Sequence, residues 1–200
     1  MSKEVDIRGD RATEFPRLEE PLRVTHARVL ACRYERWDAI SALTNLVSLE
    51  VIDWHGSDLE ALRPLAKLEQ LSITHMPKVT SLDPLSDLIA LRRLILGLMA
   101  SQYYNGKFHE VESLAPLRGL PLEEVNLLGV RPASKAVDDL LAIPTLTKAV
   151  AVRFAVKERN CLRKVVDEEP VAWQTPAWGS AAESEREGPL LTGISYRTPN

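Results

Sequence analysis

The spacing of apolar residues constrains the fold of this chain more than any other feature of its sequence. The pattern apolar-x-x-apolar-x-apolar occurs six times at intervals of 22, 22, 23, 31 and 24 residues, beginning at Val24, Leu46, Leu68, Leu91, Leu122 and Leu146. A helix face recurs about every three or four residues, so a helical bundle has no reason to hold such a long period. The period therefore indicates stacked repeats that share one core.

Each unit changes from one local period to another. Leu49 and Val51 are two residues apart, which places both on one face of a short strand. Leu59, Leu62 and Leu65 follow at steps of three, a spacing typical of a 3₁₀ turn that keeps one edge inward. The sequence therefore predicts one strand and one 3₁₀-like turn in every unit.

Two segments, SDLEALRPLAKLEQLSI and VTSLDPLSDLIALRRLIL, carry this pattern most fully. They resemble the leucine-rich repeat family, and within it the short, 22-residue type of internalin-like bacterial proteins. The resemblance covers about residues 22–154. It implies an α/β repeat solenoid, a right-handed horseshoe of about six coils with a parallel β-sheet on its concave face. A resemblance of this kind indicates the fold and leaves the function open.

One position departs from the family pattern. Three residues after the last inward strand position the family favours asparagine, whose amide satisfies backbone groups between coils. This chain has other residues there, namely Cys32, Trp54, Met76, Met99 and Val130. Because Trp, Met and Val cannot form that ladder, we expect an irregular or wider turn, with backbone groups paired to water or to neighbouring loops.

The remaining segments flank or interrupt the repeats. Residues 1–21 are predicted to cap the N-terminal coil, and residues 155–175 to cover the last strand, which makes Cys161 a structural residue. Residues 176–200 are rich in Pro, Ser, Gly and Glu, a composition typical of a flexible tail. The interval of 31 residues reveals an insertion at residues 100–112.

The insertion contains aromatic residues around a turn signal. Asn105-Gly106 lies between Tyr103-Tyr104 and Lys107-Phe108, which predicts a protruding hairpin. Tyrosine and phenylalanine anchor many interfaces because they bury a large area at a small entropic cost. Two interpretations stay open: the hairpin packs on its own solenoid, or it meets a partner.

The strand residues between the inward leucines indicate the surface that a partner would meet. Equivalent positions in stacked strands form columns about five ångströms apart, and the column on the concave face contains Arg28, Glu50, Ser72, Ile95, Asn126 and Val150. Exposed apolar residues are expected at Ile95 and in the next columns, at Leu30, Ile52, Leu98 and Leu128, and such a patch is typical of an interaction surface. The predicted partner-binding residues are Arg28, Glu50, Ile52, Ser72, Thr74, His75, Arg93, Ile95, Tyr103, Tyr104 and Phe108.

Several contacts between coils follow from the same columns. Arg28 is expected beside Glu50, and Arg93 beside Glu124. Asp53 and His75 are expected to meet across neighbouring coils, where the carboxylate favours the charged imidazole. Two or three converging ligands are too few for a metal site.

Composition and motifs exclude several classes of function. A net charge of −3 and a pI of about 5.9 argue against a nucleic-acid groove, and no apolar run is long enough to span a membrane. The charged start has no apolar h-region, so no secretory signal is expected, and two cysteines, Cys32 and Cys161, suit a reducing compartment. No phosphate-binding glycine loop or G-x-S-x-G elbow occurs. We therefore expect no cofactor, no metal and no catalytic residue.

The resulting prediction is a bacterial, cytoplasmic, non-catalytic module that binds another protein through the concave face and the insertion, and that is a monomer rather than an oligomer. One form of it is an inhibitory or immunity-type partner for a toxin or an enzyme. Two alternatives stay open. One is an effector enzyme whose activity lies in the C-terminal tail, and the other is a homo-oligomeric scaffold that assembles through the apolar last strand.

Overall fold

The sheet of this protein is a row of parallel strands that pair side by side in chain order. The computed structural model describes residues 3–166. Its main sheet contains β1 (Lys3–Arg8), β2 (Val24–Leu30), β3 (Ser48–Ile52), β4 (Gln70–Thr74), β5 (Arg93–Gly97), β7 (Glu124–Leu128) and β9 (Lys148–Val152), whereas β6 (His109–Val111) pairs only with β8 (Val130–Pro132). The first and last strands of the main sheet do not pair, so the sheet is open. The predicted α/β solenoid is confirmed, and β1 adds a strand before the six predicted ones.

The core lies between this sheet and a wall of short turns. The wall consists of 3₁₀ turns at Pro21–Arg23, Asp38–Ala42, Glu60–Leu62, Asp83–Asp87 and Ala115–Leu117, with helix α2 at Asp138–Leu141. In one coil, Leu62 and Leu65 donate backbone hydrogen bonds to the residues three positions earlier, at 2.9 and 3.0 Å. Leu59, Leu62 and Leu65 are fully buried, as are most inward strand residues. Burial of each such side chain contributes about 1.5–3 kcal/mol.

The turn after most strands of the main sheet repeats from coil to coil. One residue with a left-handed backbone, with φ between 54° and 81°, follows each strand of the main sheet except β5, at Gly9, Ala31, Asp53, His75, Gly129 and Arg153. The sheet ladder continues into this turn, because the amides of Ala31, Asp53 and His75 donate to the next coil at 2.8–3.0 Å. The irregular turn expected around Cys32, Trp54 and Met76 was therefore wrong, whereas the expected pairing with a neighbouring loop is present, since the Trp54 amide donates to the His75 carbonyl at 2.9 Å. A single left-handed residue redirects the chain while its amide stays paired, so no asparagine ladder is needed.

An aromatic cluster fills the first coils. The rings of Trp37 and Trp54 are stacked with centroids 4.0 Å apart, and Phe15 and Tyr34 pack on Trp37 at 5.7 and 5.5 Å. All four side chains are buried. The Tyr34 hydroxyl donates to an Asp10 carboxylate oxygen at 2.6 Å, and this bond holds the pKa of Asp10 below its ordinary value. Aromatic packing thus joins the N-terminal segment to the repeats.

The insertion folds as a helix, not as the expected hairpin. Helix α1 spans Ala100–Tyr104. The Gly106 amide donates to the Tyr103 carbonyl and the Lys107 amide to the Gln102 carbonyl, both at 3.1 Å, with Gly106 at φ 75°. These two bonds form a Schellman motif, in which a left-handed glycine ends a helix. Asn105-Gly106 is therefore a helix stop, and the chain continues into β6.

The C-terminal end of the described chain covers the last strand. Helix α3 (Val156–Leu162) follows β9, and Leu162 and Val166 are buried at its end. Cys161 is partly buried against the core. The predicted tail at residues 176–200 and most of the predicted cap at 155–175 lie outside the described residues, and the segment boundaries at 21/22 and 154/155 stay predictions. Within residues 3–166 no helix is long and apolar enough to span a membrane.

Candidate functional site

The concave face, meaning the solvent side of the main sheet, is charged at one end and buried in the middle. Arg28 and Glu50 are partly exposed there, as predicted. Ser72, Ile95 and Asn126, one coil apart in the same column, are only 5%, 7% and 5% exposed. The prediction that Ser72 and Ile95 are open to a partner was therefore wrong. Their columns were assigned correctly, but their exposure was not.

The neighbouring column, which contains Gln70, Arg93 and Glu124, is joined by hydrogen bonds. Arg93 Nε lies 2.9 Å from a Glu124 carboxylate oxygen, and its Nη1 lies 3.2 Å from the Gln70 side-chain oxygen. Arg93 therefore links the three neighbouring strands β4, β5 and β7. The pair of Arg93 and Glu124 was expected from the sequence. The contact of Arg93 with Gln70 was not expected, although Gln70 stands in the same column one coil earlier.

The second expected pair joins Arg28 and Glu50. The Arg28 Nε and Glu50 Oε2 atoms are 2.9 Å apart, and both side chains are less than one-sixth exposed, at 15% and 14%. Burial raises the pKa of Glu50, and the neighbouring Arg28 opposes this shift only in part. The charges of the concave face are thus largely neutralised within the chain.

His75 connects two coils to the insertion. Its Nδ1 lies 2.7 Å from an Asp53 carboxylate oxygen, and its Nε2 lies 3.1 Å from the Gln102 side-chain nitrogen in α1. The expected contact of Asp53 with His75 is present. Gln102 was missed, because a hairpin places it differently from a helix. His75, a predicted partner-binding residue, thus has a structural contact on each ring nitrogen.

The three aromatic residues of the insertion have different surroundings. Arg153 donates to the Tyr103 carbonyl at 2.8 Å, and its guanidinium lies 5.3 Å from the Tyr103 ring. The Arg131 guanidinium lies 3.4 Å from the centre of the Phe108 ring. Tyr104 is 69% exposed and Phe108 is 46% exposed. Tyr103 therefore packs on its own solenoid, whereas Tyr104 and part of Phe108 face solvent.

An apolar stripe crosses the coils between the charged column and the insertion. We define it as the aligned and partly exposed residues Leu30, Ile52, Thr74, Leu128 and Val152. Gly97 is buried in the stripe between Thr74 and Leu128, and a Cβ atom there would lie 3.6 Å from Leu128 Cβ. The stripe contains the predicted binding residues Ile52 and Thr74. Leu98, which was also predicted to belong to the patch, is partly exposed as well, and only Ile95 of that patch is buried.

Across residues 3–166, no three or more His, Cys, Asp or Glu side chains are grouped so as to hold a metal. A shallow depression on the sheet is lined by Glu69, Gln70, Arg92, Arg93, Glu123 and Glu124. Its arginines are paired with carboxylates, Arg92 with Glu123 and Arg93 with Glu124. The tail proposed for an effector enzyme lies outside the described residues.

The same architecture occurs in solved bacterial structures. An internalin C2 from Listeria monocytogenes matches with a TM-score of 0.52 and 18% identity, over 75% of this chain and 64% of its own length. The chain has a leucine-rich repeat fold of the internalin type. An internalin InlF of the same species matches at a TM-score of 0.46 and 14% identity, over 76% of this chain and 48% of its own. No protein-family model matches the chain, and no curated protein matches it.

The chain with this leucine-rich repeat fold matches 64% of the length of internalin C2, which is less than two thirds of that protein. Similarity at this level of identity establishes the fold. The accessible candidates for a binding site are the apolar stripe, Tyr104 and the exposed part of Phe108.

Proposed function

We propose that this leucine-rich repeat chain is a non-catalytic module that binds a protein partner through the apolar stripe of its concave face and the exposed part of the 100–112 insertion. The observation that supports the proposal most is the combination of the stripe with Tyr104, which is 69% exposed. Accessible apolar residues arranged in a row are typical of an interaction surface.

The scaffold favours binding because it holds these residues in fixed positions. Each strand of the stripe pairs in unshifted register with its neighbours, from His26 opposite Ser48 to Leu128 opposite Val152. Side chains on such a sheet lose little freedom when a partner docks, which lowers the entropic cost of association. Tyr104 and Phe108 extend the same surface beyond the sheet.

The electrostatics of the face suggest the character of the partner. Arg28 is paired with Glu50, and Arg93 with Glu124, so a partner has few unsatisfied charges to complement. We therefore expect apolar and aromatic contacts to supply most of the affinity, with a few residues carrying most of it. A bacterial and cytoplasmic setting is part of this proposal and rests on composition alone.

Affinity capture from the native source, followed by mass spectrometry, tests the proposal. Ile52→Asp and Tyr104→Ala are expected to reduce recovery of the partner about tenfold or more, since interface anchors contribute about 2 kcal/mol each. Ile89→Ala is the matched control, because Ile89 is also 69% exposed but lies after the 3₁₀ turn Asp83–Asp87 and away from the stripe. Equal recovery by all variants, with unchanged melting temperatures, would overturn the proposal.

A further inference from the structure

The two ends of the main sheet differ in how they are covered. At the C-terminal end, α3 follows β9 and buries Leu162. At the N-terminal end, β1 pairs with β2, and within residues 3–166 no strand pairs with its outer side. The Gly9 amide donates to the Leu30 carbonyl of β2 at 3.0 Å. The N–H and C=O groups of successive residues point alternately to the two sides of a strand. Because the Gly9 amide points toward β2, the N–H and C=O groups of Glu4, Asp6 and Arg8 point away from β2, toward the open edge.

The core side of β1 is only partly covered. Val5 and Ile7 pair with Ala27 and Val29 of β2 and pack against the core, yet both are partly exposed. Ala27 and Val29 themselves are 2% and 0% exposed. A terminal repeat lacks the neighbour that buries its apolar face. A further strand beside β1 would supply that neighbour.

We propose that two copies of this chain associate through β1, whose outer edges pair antiparallel about a two-fold axis at Asp6. This pairing joins the two sheets into one. It goes beyond the partner binding proposed above and does not depend on it. The proposed dimer differs from the monomer expected from the sequence. Its contact lies at the first strand, whereas the homo-oligomeric scaffold considered from the sequence would assemble through the last strand.

The charges of β1 select this register. Charged residues on an edge strand usually prevent pairing because like charges meet. With Asp6 on the axis, however, Glu4 lies opposite Arg8 of the second copy at two equivalent places, and Val5 lies opposite Ile7. The one like pair is Asp6 with its copy, and each Asp6 accepts two hydrogen bonds from its own Arg8, at 2.9 and 2.8 Å. An axis at Val5 would place Glu4 opposite Asp6 of the second copy, and an axis at Arg8 would place the two Arg8 residues opposite each other. An axis at Ile7 would shorten the paired segment.

A charge-swap series on the full chain without an N-terminal tag tests the proposal. Sedimentation equilibrium over about a hundredfold range of protein concentration measures the dimer fraction. Glu4→Arg and Arg8→Glu each place like charges at both contacts, so each is expected to raise the dissociation constant about tenfold or more. The double variant Glu4→Arg/Arg8→Glu restores opposite charges at both contacts but leaves the two Asp6 residues without Arg8, so it is expected to recover only part of the lost affinity and to dimerise more strongly than either single variant.

A second variant tests the backbone contact separately. Asp6→Pro removes an amide that points away from β2, so the ladder with β2 is kept while the outer edge is blocked. Dimerisation is expected to be lost, and the melting temperature of the monomer to stay close to that of the wild type. A wild-type chain that is monomeric at every concentration, or a dimer that none of these variants weakens, would overturn the proposal. The second result would direct attention to α3 or the insertion.

Discussion

Asp53 and His75 join neighbouring coils through a 2.7 Å contact between a carboxylate oxygen and Nδ1, and both residues have left-handed backbones, at φ 74° and 68°. The contact lies where the turn after β3 stacks on the turn after β4. The other ring nitrogen of His75 meets Gln102 of α1. One side chain thus connects the repeat turns to the insertion.

The first prediction concerns this connection. His75→Ala removes the contacts with Asp53 and Gln102, while alanine, like histidine, is strained at a left-handed φ. The unfolding free energy is therefore expected to fall by about 1–2 kcal/mol, mainly from the lost contacts. Amide hydrogen exchange across α1 is expected to accelerate as well. His75→Asn is the matched variant, because asparagine tolerates this backbone conformation and isolates the loss of the contacts. Unchanged exchange in α1 for both variants would show that His75 does not hold the insertion.

The aromatic cluster makes a second prediction. A Cβ atom at Gly56 would lie 2.8 Å from Trp54 Nε1 and 3.0 Å from Trp37 Cδ1, so Gly56→Ala is expected to lower the unfolding free energy by about 1–3 kcal/mol. Gly119→Ala is the control, since nothing lies within 4 Å of its Cβ position. Denaturant unfolding measures both, and an equal effect of the two substitutions contradicts the packing described here.

The repeated leucines make a third prediction. Leu62 is fully buried in its 3₁₀ turn, whereas Leu22 in the first turn is 61% exposed. Leu62→Ala is expected to cost about 2–5 kcal/mol of unfolding free energy, and Leu22→Ala less than about 0.5 kcal/mol. Thermal and chemical denaturation of the two variants provides the comparison. Similar losses at both positions are incompatible with the assigned inward face.

The fourth prediction concerns the pH dependence that Glu50 introduces. Because burial raises its pKa above 4.5, the folded chain holds the Glu50 proton more tightly than the unfolded chain does. Its contribution to the unfolding free energy is therefore fully present below pH 4.5 and is lost as the pH rises through the folded-state pKa. Glu50→Gln is expected to remove this decline. The unfolding free energy of both proteins is measured from acidic to neutral pH. A steeper decline in the variant than in the wild type would contradict a raised pKa of Glu50.

The sequence predicted those parts of the fold that depend on a fixed period. Equal spacing placed Leu49 on Leu71 and Asp53 on His75, because each coil adds one complete turn of the solenoid. The same reasoning assigned Ser72 and Ile95 to the concave face but could not give their burial. Burial there depends on how the surrounding side chains pack, which the spacing of the repeats does not determine.

Local signals with two structural meanings explain the other differences. Asn105-Gly106 is compatible with a hairpin turn and with a helix C-cap, and the choice depends on whether Ala100–Tyr104 can pack as a helix over the turns. It does so through Gln102 and Tyr103, whose contacts with His75 and Arg153 are distant in sequence. The strand at Lys3–Arg8 was not foreseen as part of the sheet, because it lacks the full repeat pattern.

Site-specific photo-crosslinking to the captured partner tests the central claim most directly. A photoreactive amino acid is placed at Ile52 on the stripe, at Tyr104 on the insertion, and at Ile89 as a control with the same exposure as Tyr104, 69%. The account predicts partner adducts from positions 52 and 104 and none from position 89. Adducts from position 89 alone would place the partner elsewhere and contradict the account.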